Sequence, residues 1–80
     1  MTLSDLPAGI DAIVDFVQDR VPGDAIARRL RDLGFVSGEV VRLLTRGPLG
    51  GDPLLVQVGF TRFAMRGAEA ARVQLRHRDG

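Results

Sequence analysis

The sequence predicts a mainly β chain: about five short strands with one short helix inserted between the first and second, curled into a small barrel. Three observations lead there. Apolar residues recur at every second position in several short segments, the signature of strands with one buried face. Ten glycines and four prolines fall mostly between those segments, where turns belong. Finally, eighty residues cannot cover both faces of a flat five-stranded sheet, so the strands must curl or close to bury a common core and hide their edges.

The first strand is expected over Ile10 to Val17, with Ile10, Ala12, Val14 and Phe16 on the buried face and Asp11 and Asp15 outside. Leu6-Pro7-Ala8-Gly9 before it reads as a turn. Val21-Pro22-Gly23-Asp24 stops the strand and opens a helix, with Asp24 at the cap or in the first turn against the positive dipole end. Ile26, Leu30 and Leu33 form its apolar stripe. Arg28, Arg31 and Asp32 lie opposite, with Asp24–Arg28 and Arg28–Asp32 at i,i+4 pairing distance. Gly34 follows where a left-handed cap is wanted.

After a turn at Val36-Ser37-Gly38, the segment Glu39 to Arg46 is apolar on much of both faces, as in a buried or strongly curved strand. Gly47-Pro48-Leu49-Gly50-Gly51-Asp52-Pro53 is the clearest loop, and its prolines bracket a stretch expected to stay unpaired. Leu54, Val56 and Val58 mark the next strand, and Phe63 and Met65 the one after a turn at Gly59 to Thr61. Gly67 to Ala71 fits a single helical turn. Arg72 to His77 alternates most cleanly, with Val73 and Leu75 inside and Arg72, Gln74 and Arg76 outside. Residues 78–80 are expected to fray.

Composition narrows the function. The chain is expected to be a single domain over residues 1–80, since no second core could be built from what remains. No apolar run exceeds three residues, against roughly twenty for a membrane span, so direct membrane insertion is not expected. Met-Thr-Leu-Ser-Asp shows no cationic region leading into an apolar stretch, so it does not read as a signal peptide and the expected compartment is the cytoplasm. The absence of cysteine excludes disulfides, thiolate metal sites and thiol nucleophiles. Eleven arginines face eight aspartates and two glutamates, with no lysine, for a net charge of +1; coding bias explains this more simply than selection for phosphate forks.

Candidate chemistry is sparse. His77 is the single histidine and suits a solvated surface position better than a metal site. Asp11 and Asp15 share a strand face with no base beside them, and Ser4 and Ser37 are turn residues. Gly47 to Asp52 lacks the Gly-Lys-Ser/Thr ending of a phosphate loop. No catalytic residue, cofactor or stable metal site is therefore expected. Arg42, Arg46, Arg62, Arg66, Arg72 and Arg76 could gather into a basic band for nucleic acid. All four aromatics are phenylalanines, however, and Phe16 and Phe63 are expected inside, so no stacking row is available and nucleic acid is not the expected partner.

The stretch Arg29-Leu30-Arg31-Asp32-Leu33-Gly34-Phe35-Val36-Ser37-Gly38, the apolar strand after it, and Gly47-Pro48-Leu49-Gly50-Gly51-Asp52-Pro53 together resemble the FeoA family pattern: Arg-Leu, two spacers, Leu-Gly, an apolar residue, Pro-Gly, a strand, then Pro-Leu-Gly-Asp-Pro. Phe63-Ala64-Met65-Arg66 with Glu69-Ala70, and the opening Leu3 to Gly9, are similar to that family too. Ser37 stands where the family has proline, Gly51 is an additional residue in the loop, and the turn after Val58 is longer by one residue. The resemblance implies an SH3-like barrel and a cytoplasmic accessory role in bacterial ferrous-iron uptake, by contact with the membrane GTPase-permease FeoB. It also implies that the protein is not an enzyme. Contact is expected in a groove between helix and barrel or through the Gly47–Pro53 loop, with Leu30, Leu33, Pro48, Leu49, Asp52 and Arg66 as candidate partner-binding residues. Similar barrels form the C-terminal domain of metal-dependent repressors, so a detached sensor module is the alternative.

Overall fold

A computed structural model describes residues 1–77, and the expectation for residues 78–80 lies outside the described residues. Five antiparallel strands form one sheet in the order β4-β3-β2-β1-β5: β1 Asp11–Val17, β2 Val40–Gly47, β3 Gly51–Val58, β4 Thr61–Met65 and β5 Val73–His77. Helix α1, Ala25–Asp32, lies between β1 and β2, and α2, Gly67–Ala70, is the single turn between β4 and β5. The five strands and the inserted helix are thus as the alternation predicts.

The sheet curls around its core because pairing slips at bulges, between Val14 and Phe16 in β1 and between Leu43 and Thr45 in β2. The curl encloses Val14, Val41, Leu43, Val56 and Val73, all without solvent exposure. The same bulge corrects the reading of β1. Ala12 and Val14 face inward as expected, but beyond the slip Val17 takes the buried position and Phe16 is 52% exposed; Ile10, also 52% exposed, lies before the first paired residue of the strand. A one-residue shift turns every later side chain to the other face.

The N-terminal segment was expected only as a turn before β1, yet it supplies part of the core. A 3-10 turn at Leu3–Asp5 buries Leu3 and Leu6 completely or nearly so. Arg46 ties this segment to the sheet by donating from Nη2 to the carbonyls of Ser4 (2.8 Å) and Leu6 (3.2 Å). Thr2 bridges Gln74 of β5, and Leu75 N donates to Met1 O at 2.8 Å, so the first residues cover the β5 edge. β4, at the other edge, pairs with no further strand among the described residues.

Helix α1 seats Ala27 and Leu30 in the core, with Leu33 half-buried and Ile26 largely outside, so the buried stripe centres one residue later than the sequence suggests. It ends as expected after Leu33. Gly34 has φ +114°, its N–H donates to Arg31 O, and Phe35 N–H donates to Leu30 O, with Phe35 and Leu30 both buried.

Candidate partner-docking surface

Asp24 positions α1, though not through the neighbours its spacing suggests. Its Oδ1 accepts from Ile26 N (3.0 Å) and Ala27 N (3.3 Å), the N-cap role. Its Oδ2 accepts from Arg20 N (2.9 Å) and from Nε of Arg72 (2.8 Å). Arg72 in turn donates from Nη1 to Ala68 O at 2.7 Å. The expected Asp24–Arg28 pairing thus gives way to an ion pair across 48 positions, with side chains only 3% and 12% exposed. The Arg20 amide and the Arg72 guanidinium hold the Asp24 carboxyl well below the usual carboxylate range. Arg72 is therefore an internal brace, not the outward-facing residue that alternation predicts.

The β2–β3 connection is shorter and stiffer than the seven-residue loop expected. Gly47 pairs with Gly51, and Leu49 and Asp52 exchange two hydrogen bonds, Leu49 N to Asp52 O (3.3 Å) and Asp52 N to Leu49 O (3.1 Å). Between them Gly50 (φ +65°) and Gly51 (φ +92°) take the paired positive φ of a two-residue type I′ hairpin turn. Asp52 and Pro53 belong to β3, so Pro53 does not close off an unpaired stretch. Gly47 has to be glycine for a different reason: a Cβ there would collide with the Asp52 carbonyl and lie 2.7 Å from Pro53 N.

This hairpin is anchored to α2. Asp52 Oδ1 accepts from Gly67 N at 2.9 Å, and Glu69 accepts from Arg66 N at 2.7 Å, so the short turn is tied at its start from two sides. Pro48, Asp52 and Arg66 therefore belong to one neighbourhood, with Leu49 projecting from it at 76% exposure. The two hydrogen bonds of the turn fix the backbone that carries this exposed apolar side chain.

Leu30 and Leu33 are elsewhere. Leu30 is 3% exposed and packs in the core. Leu30 and Leu33 both line a notch of about 40 Å³ between α1 and β4 with Ile26, Phe35, Phe63 and Met65. That notch is the groove expected between helix and barrel, but it is far below the roughly 300 Å³ of a small-molecule site; Phe35 and Phe63, with ring centroids 6.0 Å apart, line it.

Two larger apolar hollows carry residues the sequence reading did not select. One, about 350 Å³, lies among Met1, Leu6, Ile10, Ala12 and Leu75, with His77 at its margin. The other, about 390 Å³, lies among Phe16, Val36, Phe35 and Val17. The unequal burial of Phe16 and Val17 depends on the β1 bulge, which alternation alone does not reveal.

Most of the arginines considered for a basic band are already engaged. Arg42 pairs with Asp11 (2.6 Å), Arg72 with Asp24 (2.8 Å), Arg76 approaches Asp15 (3.8 Å), and Arg46 is spent on backbone carbonyls. Among the described residues no three His, Asp or Glu side chains gather in a way that could hold a metal ion, and no helix is long and apolar enough to cross a membrane.

A curled five-stranded antiparallel sheet of this size, with α1 between its first two strands, hairpins between the next three and one helical turn before the last, is a small barrel of the SH3 type. The family model of the FeoA domain matches residues 1–77, and the chain belongs to the FeoA family. It is similar to the crystal structure of Stenotrophomonas maltophilia FeoA complexed with zinc. The two are 63% identical over 95% of this chain and 89% of that one, with a TM-score of 0.89. That protein is described as an SH3-domain protein and a candidate activating factor for bacterial ferrous iron transport. It is also similar to the Chlorobium tepidum FeoA solution structure, at 38% identity over 100% of this chain and 72% of that one, TM-score 0.84. Iron(II) transport protein A from Clostridium thermocellum matches at 27% identity, covering 96% of this chain and 45% of that one, TM-score 0.82. Comparison with curated proteins returns no match.

Proposed function

We propose that this chain is an accessory protein of bacterial ferrous-iron uptake that works by binding, not catalysis, and that its partner is the cytoplasmic part of an FeoB-type GTPase-permease. In this reading residues 1–80 act as one domain in the cytoplasm and meet the membrane only through that partner. Family membership and the 63%-identical relative support the iron-transport role. The observation that supports binding is Leu49, 76% exposed on a turn whose backbone is hydrogen-bonded on both sides and braced by Asp52 against Gly67. Several other apolar side chains are exposed, and what supports Leu49 as a contact is the braced turn that presents it ready to enter a partner pocket.

The test is a pull-down with the cytoplasmic portions of FeoB, using the wild-type chain and Leu49→Asp. Wild-type capture, weakened at least about tenfold by the substitution, is expected. Unchanged capture by the variant would remove the hairpin tip from the interface, and no capture by wild type would remove the partner.

A further inference from the structure

A second surface lies at the far end of β3 from Leu49. Asp11 of β1 stands opposite Arg42 of β2, Arg42 opposite Gln57 of β3, and Gln57 opposite Arg62 of β4. Their neighbours Ala12, Val41, Val56 and Val58 face the core, so these four side chains form one outward row across four strands. The row lines a hollow of about 390 Å³.

Its charges are not balanced along its length. Asp11 and Arg42 engage each other at 2.6 Å. Arg62 has only a long contact, Nε to Gln57 Oε1 at 3.4 Å, while the Gln57 amide donates to Gly59 O at 3.3 Å. No acidic side chain among the described residues lies within ion-pair distance of Arg62. Two residues before it, at the β3–β4 turn, Phe60 is fully exposed. Arginine and phenylalanine are residue types that protein interfaces favour, and the Phe60 ring is not part of the core.

We propose that this row, with Phe60 beside it, docks a segment of a partner protein that carries an aspartate or glutamate next to an apolar side chain. The carboxylate takes the free fork of Arg62 and the apolar side chain covers Phe60. A nucleic-acid strand fits less well: Asp11 sits in the same row, the chain carries a net charge of only +1, and the neighbouring Arg42 is already neutralised. The proposal does not rest on the transporter reading. The two surfaces are separated by the eight residues of β3, about 23 Å of strand.

The test is a titration of the isotopically labelled full chain with a capped Glu-Leu-Glu peptide, followed by amide and arginine side-chain NMR shifts. Saturable shifts at Gln57, Phe60 and Arg62 are expected, with affinity lowered at least about threefold in Arg62→Gln and lowered also in Phe60→Ala. Arg28→Gln removes the same charge from the exposed face of α1 and is expected to bind as wild type. Absence of saturable shifts, or equal weakening by Arg28→Gln and Arg62→Gln, overturns the proposal. So does tighter binding of an oligothymidine or of inorganic phosphate than of the peptide at the same ionic strength.

Discussion

The junction of α1 with β5 and the tip of the β2–β3 hairpin reverse the usual distribution of residues in opposite ways. At the junction a carboxylate and a guanidinium are drawn inside, with exposures of 3% and 12%, and the four acceptor contacts of Asp24 leave it fully satisfied. At the tip a leucine is held outside at 76% exposure. The first arrangement costs desolvation that only complete hydrogen bonding offsets, so any gap in it is expensive. The second costs little to the fold, so its loss is felt only by whatever it touches. Charge inside marks a place where the fold is secured, and an exposed leucine marks a place that can change without cost to the fold.

Substitutions that break this comparison should rank accordingly. Arg72→Ala leaves the Asp24 carboxylate with its three amide donors but no counter-charge, and is expected to lower Tm by about 15 °C in a circular-dichroism melt; a shift of only a few degrees would show that the amides alone hold α1. Leu30→Ala empties the centre of the same helix–barrel contact and is expected to cost about 2–5 kcal/mol by urea titration. Gly47→Ala forces the Asp52–Pro53 backbone away and is expected to cost about 1–3 kcal/mol, with loss of protection at the Gly67 amide in hydrogen exchange.

Acid should act through the junction as well. The folded-state pKa of Asp24 is depressed, so its contribution is complete above the unfolded value of about 4 and is lost progressively as pH falls below it. Urea midpoints measured between pH 5 and pH 2 should therefore fall more steeply in wild type than in Asp24→Asn, whose stability is lower at pH 5 but less dependent on acid. Leu49→Asp stands at the other extreme: a stability change within about 0.5 kcal/mol, despite weakened capture by the partner.

Alternation made β4 and β5 legible because both strands keep strict registers: Phe63 and Met65, then Val73 and Leu75, face inward as their spacing requires. It misplaced Phe16 because a bulge is a pairing event between strands and leaves no trace in the periodicity of one strand. Leu3 was missed as core because a single 3-10 turn is too short to show a period. The partner of Asp24 was misread because local spacing offered Arg28, whereas the fold brings in Arg72 from 48 positions away. Of the residues expected to bind a partner, Pro48, Leu49 and Asp52 lie on one hairpin, which Asp52 ties to the turn that follows Arg66, whereas Leu30 and Leu33 lie at the notch between helix and barrel. Phe60 carried no sequence signal, and Arg62 was noticed only as one of six arginines in a basic band, since exposure and a missing counter-charge are properties of the assembled surface.

The span of the Asp24–Arg72 pair also bears on how the chain comes to be folded. A nascent chain that has not yet reached Arg72 lacks the guanidinium that completes the cap of α1, and lacks the strand that pairs with β1 along Ala12 to Val17. The helix is eight residues long, too short to persist on its own. Local helix formation therefore cannot seed assembly. The β2–β3 and β3–β4 hairpins can form locally, but closure at β1 must wait for β5, a pairing of segments far apart in sequence and of the kind that slows folding.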